Sequence, residues 1–112
     1  MLTPEEAAQR QLDAYNARDL EAFLDVYAQD AEVRDLAGGA LLMEGREAMR
    51  ARYAELFGAS LRLRCLLRNR IAHGAFVIDH EEVTGMRDGP PVEAVAIYEV
   101  REGSIRRVWF AR

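Results

Sequence analysis

The chain predicts an α+β fold, with helices packed on one face of a mainly antiparallel sheet. Three observations carry this. Apolar residues recur at helical spacing three times before Gly58. From Ser60 onward, two-residue alternation takes over. Turn-forming breaks, "HG", "RDGPP" and "REGS", separate the alternating runs. Helices followed by a strand meander indicate α+β rather than a parallel βαβ repeat. At 112 residues the chain predicts one domain over 1–112.

The first helix starts at "TPEE": Thr3 caps, Pro4 suits the first turn and Glu6 completes a capping box. Ala8, Leu12 and Tyr15 follow on one face. "ARD" breaks the helix, and Asp19 caps a second with Leu20, Phe23, Leu24 and Tyr27 as its apolar stripe. A strand over Glu32–Leu36 then turns through Gly38-Gly39 into Leu41–Met43. Gly45 leads a third helix, Arg46–Phe57, with Met49, Tyr53 and Leu56 on one face and Gly58 as its C-cap. Leu61, Leu63, Cys65 and Leu67 alternate with polar residues in the next strand. "HGAFVIDHEEVTG" is another strand, Val92–Val100 a third, and "IRRVWFAR" the last, after a tight "REGS" hairpin. The strand Val92–Val100 is apolar on both faces: Val92, Ala94, Ala96 and Tyr98 on one, Val95 and Ile97 on the other. Helices in so small a domain cover one face only. The other predicts a two-fold homodimer through the outer side of the sheet.

Composition excludes several function classes. The net charge is −4, and all 15 cationic residues are Arg. The one cationic stretch, "RLRCLLRNR" over 62–70, alternates as the polar face of a strand does, so no nucleic-acid partner is expected. Cys65 is the only cysteine, which rules out an internal disulfide and a Cys-rich zinc site. Among Leu63, Leu66 and Leu67 it reads as a buried, inert thiol. "MLTPEEAAQRQL" lacks a signal-peptide core, and no segment approaches the ~20 apolar residues of a membrane span. A cytoplasmic protein without membrane partner or cofactor is expected.

"YAQDAEVRD", "EGREAMRARY", "VIDHEEVTG" and "AIYEVREGSIRRVWF", in this order, resemble the nuclear transport factor 2-like superfamily, which includes ketosteroid isomerases and SnoaL-like polyketide cyclases. The resemblance covers nearly the whole chain. It implies a cone of the cystatin-like type, with three N-terminal helices on a strongly curved sheet and an apolar pocket between them. It also implies that Asp35 stands where ketosteroid isomerases carry their general base. The isomerase's oxyanion tyrosine falls at Gln11 and its protonated aspartate at Ala96, so the base is kept and the donor pair is not.

Asp35 therefore has two readings: a turn-former before Gly38-Gly39, or a pocket carboxylate that moves protons. Tyr15 and Tyr53, on apolar helix faces, are candidates to line the pocket and donate to a ligand oxygen, or core aromatics with satisfied hydroxyls. In "IDHEE", Asp79 and Glu81 share one face and His80 and Glu82 the other. The resemblance turns Asp79 and Glu81 toward the cavity; a one-residue slip would exchange the pairs. His80 is a candidate proton shuttle, or a solvated or interface histidine. A metal site from His73, His80 and Glu82 is not expected, because His73 lies in a turn at the strand's far end. Ala96 and Phe110 complete the expected substrate-binding wall. The resulting expectation is acid–base chemistry next to the carbonyl of a small hydrophobic compound, with Asp35 and His80 as the catalytic residues. The alternative is a non-catalytic module that binds a hydrophobic ligand or dimerises.

Overall fold

A computed structural model describes residues 1–112. Helix α1, Pro4–Ala17, begins as its capping box requires: the Thr3 amide donates to Glu6 Oε1 (2.9 Å) and the Glu6 amide to Thr3 Oγ1 (3.2 Å). Arg18, left-handed at φ 51°, closes it. Asp19 accepts from the Ala22 amide at 3.1 Å and caps α2, Leu20–Asp25. Strand β1, Tyr27–Asp35, starts earlier than the predicted Glu32, and Tyr27 belongs to it rather than to the α2 stripe. Helical spacing is overridden here by tertiary pairing. The Ile105 amide donates to the Val26 carbonyl at 2.9 Å, and the Arg46 guanidinium donates twice to the Tyr27 carbonyl, at 2.9 and 2.6 Å.

Strand β2, Leu41–Glu44, returns antiparallel to β1. Helix α3, Arg46–Ala59, runs through Gly58 and ends on Ser60. An interior glycine near a helix end costs only about 1 kcal/mol, so it need not terminate the helix. Leu61 lies in the turn before β3 and is 70% exposed, outside the strand alternation predicted for it. Strands β3 (Arg64–His73), β4 (Phe76–Thr84), β5 (Val92–Arg101) and β6 (Ser104–Ala111) complete a six-stranded, unclosed sheet in the order β2-β1-β6-β5-β4-β3. All neighbouring pairs are antiparallel except β1 and β6. Two helices precede the sheet; the third follows β2 rather than preceding the strands.

The helices cover one face. Phe23, Leu24, Met49, Val33, Val77, Ile105 and Val108 form its most buried layer. The Asn16 side chain ties α1 to β3, accepting from the Cys65 amide (2.7 Å) and donating to its carbonyl (3.1 Å). Gly85 allows the chain to cross tightly after β4: at φ 77°, an added Cβ would sit 1.9 Å from the Arg62 carbonyl oxygen. On the uncovered face, Ile71, Ile78, Ile97 and Trp109 stand in one register row across β3, β4, β5 and β6. Val95 and Ile97, expected to be buried there, are half-buried within one chain.

Candidate functional site

Between the helices and the inner face of the sheet lies a cavity of about 780 Å³. Nineteen of its 24 lining residues are hydrophobic; the other five are Gln11, Asp35, Arg52, Glu81 and Arg112. This volume and lining are typical of a small-molecule pocket. Alternation on each strand decides who faces it. β1 contributes Val33 and Asp35, and β4 contributes Glu81 and Val83. Asp79 and Glu81 are buried on the inner face of β4, while His80 and Glu82 point to the other side.

Asp35, Tyr15, Tyr53, Glu81 and Phe110 all line the cavity. Asp35 does so half-exposed, at the end of β1, with its amide donating to the Ala40 carbonyl at 2.9 Å. The other three predicted residues do not line it. His80 is on the uncovered face, its Nε2 2.5 Å from Glu93 Oε1, so a proton shuttle into the cavity is not served by its position. Ala96 is fully buried in the core, in register between Asp79 and Phe110, and presents no surface to a ligand. Asp79 is 0% exposed and bound by Arg70 through two bonds, Nε to Oδ1 at 2.7 Å and Nη2 to Oδ2 at 3.0 Å. Gln9 Oε1 takes a third bond from Arg70 at 2.9 Å. That fork engages both Asp79 oxygens and leaves it no place in a ligand site.

Two residues apart on the same face, Glu81 is a different chemical object. It is 6% exposed and lacks the guanidinium fork that holds Asp79. Burial pushes its carboxyl up to about 7; the neighbouring Cys65 thiol opposes the rise, the Asp79 charge adds to it and Arg70 opposes it. Cys65 lines the cavity beside it, and burial pushes its thiol well above the usual range, so it is not a nucleophile at neutral pH.

Tyrosines surround this carboxyl. Gln11 Nε2 donates to the Tyr98 hydroxyl at 3.0 Å, and the Tyr27 hydroxyl donates to Gln11 Oε1 at 3.4 Å. Burial raises Tyr15, Tyr27 and Tyr98, and it raises Tyr53 to about 12, so all four stay protonated and able to donate. The rings of Tyr15, Tyr27 and Tyr53 pack around Phe23, with Tyr53 at 4.6 Å and Tyr27 at 5.1 Å between centroids. The Gln11–Tyr27–Tyr98 group and the separate fates of Asp79 and Glu81 escaped sequence reasoning. One signal was available: antiparallel pairing of β3 with β4 sets Arg70 opposite Asp79 and Leu67 opposite Glu81. No three His, Cys, Asp or Glu side chains converge as metal ligands would, and no helix is long and apolar enough to cross a membrane.

A family model for the SnoaL-like domain matches residues 8–108. Among solved structures, the chain resembles an uncharacterized cystatin-fold protein from Novosphingobium aromaticivorans, at 26% identity and TM-score 0.90, with 100% of each chain covered. A ketosteroid isomerase-like fold protein from Catenulispora acidiphila, solved with trimethylamine, gives 20% identity and TM-score 0.79, covering 99% of this chain and 87% of that one. A computationally designed 17-OHP binder gives 18% identity and TM-score 0.83, covering 99% and 92%. No curated protein matches the sequence.

Proposed function

The chain belongs to the SnoaL-like domain family of the nuclear transport factor 2-like superfamily, and from that membership and the cavity's geometry we propose that it binds a small hydrophobic carbonyl compound and transfers a proton next to the carbonyl. The single observation that carries this is Glu81: one buried carboxyl, raised to about 7, in an apolar cavity lined by tyrosines. A carboxyl with that pKa is well matched to take a proton near neutral pH, and a protonated tyrosine can donate to the oxygen where charge develops. The resemblance gives the base role to Asp35. Burial favours Glu81, with Asp35 as a second carboxyl at the mouth.

The test is deuterium incorporation at the α-carbon across a panel of small ketones, enones and lactones, with binding read separately by thermal shift. We expect exchange to fall roughly 10²–10⁴-fold in Glu81→Gln, the usual worth of a general base, and less in Asp35→Asn. The rate should rise with pH through about 7, as Glu81 loses its proton. Full activity in Glu81→Gln with none in Asp35→Asn would return the base role to Asp35. Binding without exchange would favour a non-catalytic ligand carrier, the reading that the replacement of the isomerase donor pair by Gln11 and Ala96 supports.

We also propose that two copies pair through the uncovered sheet face. The row Ile71, Ile78, Ile97 and Trp109 supports this, since a contiguous apolar row marks an interaction surface. Sedimentation at micromolar concentration should give twice the chain mass. Ile97→Asp should shift it to the monomer by burying an unpaired charge; a wild-type monomer would rule the interface out.

A further inference from the structure

Chemistry at Glu81 leaves two of the cavity's charged residues without a task. Arg52, on α3, and Arg112, just beyond β6, both line the cavity and are both exposed. They approach the mouth from opposite walls, one from the helical layer and one from the sheet. The Leu36 amide donates to the Phe110 carbonyl at 2.9 Å, which brings the end of β6 beside the Leu36–Ala37 turn at the mouth. The Arg112 guanidinium lies 5.8 Å from the Phe110 ring centroid, over a wall of the cavity. Both arginines act on the Tyr53 hydroxyl, favouring its ionised form against its burial.

Eight of the chain's fifteen arginines have carboxylate partners. Arg34, Arg50, Arg68, Arg70, Arg87, Arg101, Arg106 and Arg107 all form ion pairs. Arg52 and Arg112 are among the seven that do not, and of those seven only these two line the cavity. Among the cavity's side chains the carboxylates are Asp35 and the buried Glu81, and of the two only Asp35 is half-exposed as the arginines are exposed.

We infer that Arg52 and Arg112 form a head-group subsite for a carboxylate, and that the ligand is an amphipathic oxo-acid whose hydrocarbon body fills the cavity toward Glu81. Guanidinium groups suit this task because their planar forks match carboxylate geometry. An apolar cavity with a cationic mouth orients such a molecule in one direction, head outward, so its interior carbonyl is carried toward the tyrosines. This rests on the pocket reading above and adds the charge and orientation of the ligand.

The test compares a medium-chain oxo-carboxylate, keto group mid-chain, with its own methyl ester. Calorimetry at about pH 6 keeps the ligand ionised and Glu81 mostly protonated. The acid should bind about tenfold tighter than the ester, the scale of one charge-assisted contact. Arg52→Gln/Arg112→Gln should erase that preference, and a cooperative denaturation transition like the wild type's reports that the double variant is folded. Equal binding of acid and ester by the wild type, or a preference that survives the double substitution, overturns the head-group subsite alone. Binding of neither molecule overturns the pocket reading along with it.

Discussion

Asp79→Ala should destabilise the fold by about 3 kcal/mol or more, the usual cost of stranding a buried charge. Its carboxylate is the only acidic partner of Arg70, whose side chain is 15% exposed. Removing it leaves a half-buried guanidinium held only by Gln9 Oε1. The loss is a property of the stranded cation rather than the worth of the pair. Asp79→Ala combined with Arg70→Met should therefore recover most of the stability, since an apolar pair of similar volume often substitutes for a buried ion pair at little cost. Urea denaturation of the wild type, both single variants and the double variant completes the cycle. A loss below about 1 kcal/mol in Asp79→Ala would mean that Arg70 escapes to solvent. The same substitution should reach Glu81. The Asp79 charge raises its pKa and Arg70 lowers it, so removing Asp79 should move the Glu81 midpoint to lower pH.

The wild type should be more stable at about pH 5 than at about pH 8, by roughly 3 kcal/mol from Glu81 alone. Its folded pKa, about 7, lies above the 4.5 of an unperturbed glutamate, so the unfolded chain gives up this proton more readily. The penalty is absent below about 4.5, grows between the two values and is complete above about 7. Glu81→Gln removes the ionisation, so it should flatten this dependence and raise stability at about pH 8. Chemical denaturation of both proteins across that range is the measurement. Parallel profiles for wild type and variant would place the Glu81 carboxylate in contact with water and remove the basis for its role as a tuned base. A stability gain in Glu81→Gln alongside a loss of exchange activity would be a direct trade of stability for function.

The elements were largely legible because local chemistry specifies them. Thr3 and Glu6 formed the capping box that their spacing predicts, Asp19 capped α2, and the "REGS" hairpin joined β5 to β6. The misreadings fell where tertiary bonds decide. Tyr27 has the right spacing for α2, and only Arg46 and Ile105, far along the chain, turn that segment into strand. The site was legible by face and not by role. Alternation put Asp79 with Glu81 on one side of β4, and His80 on the other. It could not say that Arg70 would consume Asp79 and leave Glu81 unpaired, because that depends on strand pairing. Ala96 was named from an alignment of positions, and its small side chain never reaches the cavity.

The parallel pairing of β1 with β6 bears on how the protein reaches this state. Asp35 is in register with Phe110, more than half the chain away, and every other strand pairing in the sheet joins strands that are consecutive along the chain. The hairpins β1–β2, β3–β4, β4–β5 and β5–β6 can each zip locally, with little loop-closure entropy. Joining β6 to β1 requires the long closure, and it is the step that brings Phe110 and Arg112 to the same mouth as Asp35. Folding should therefore be limited by one late, non-local docking event, and ligand affinity should appear only with that final phase.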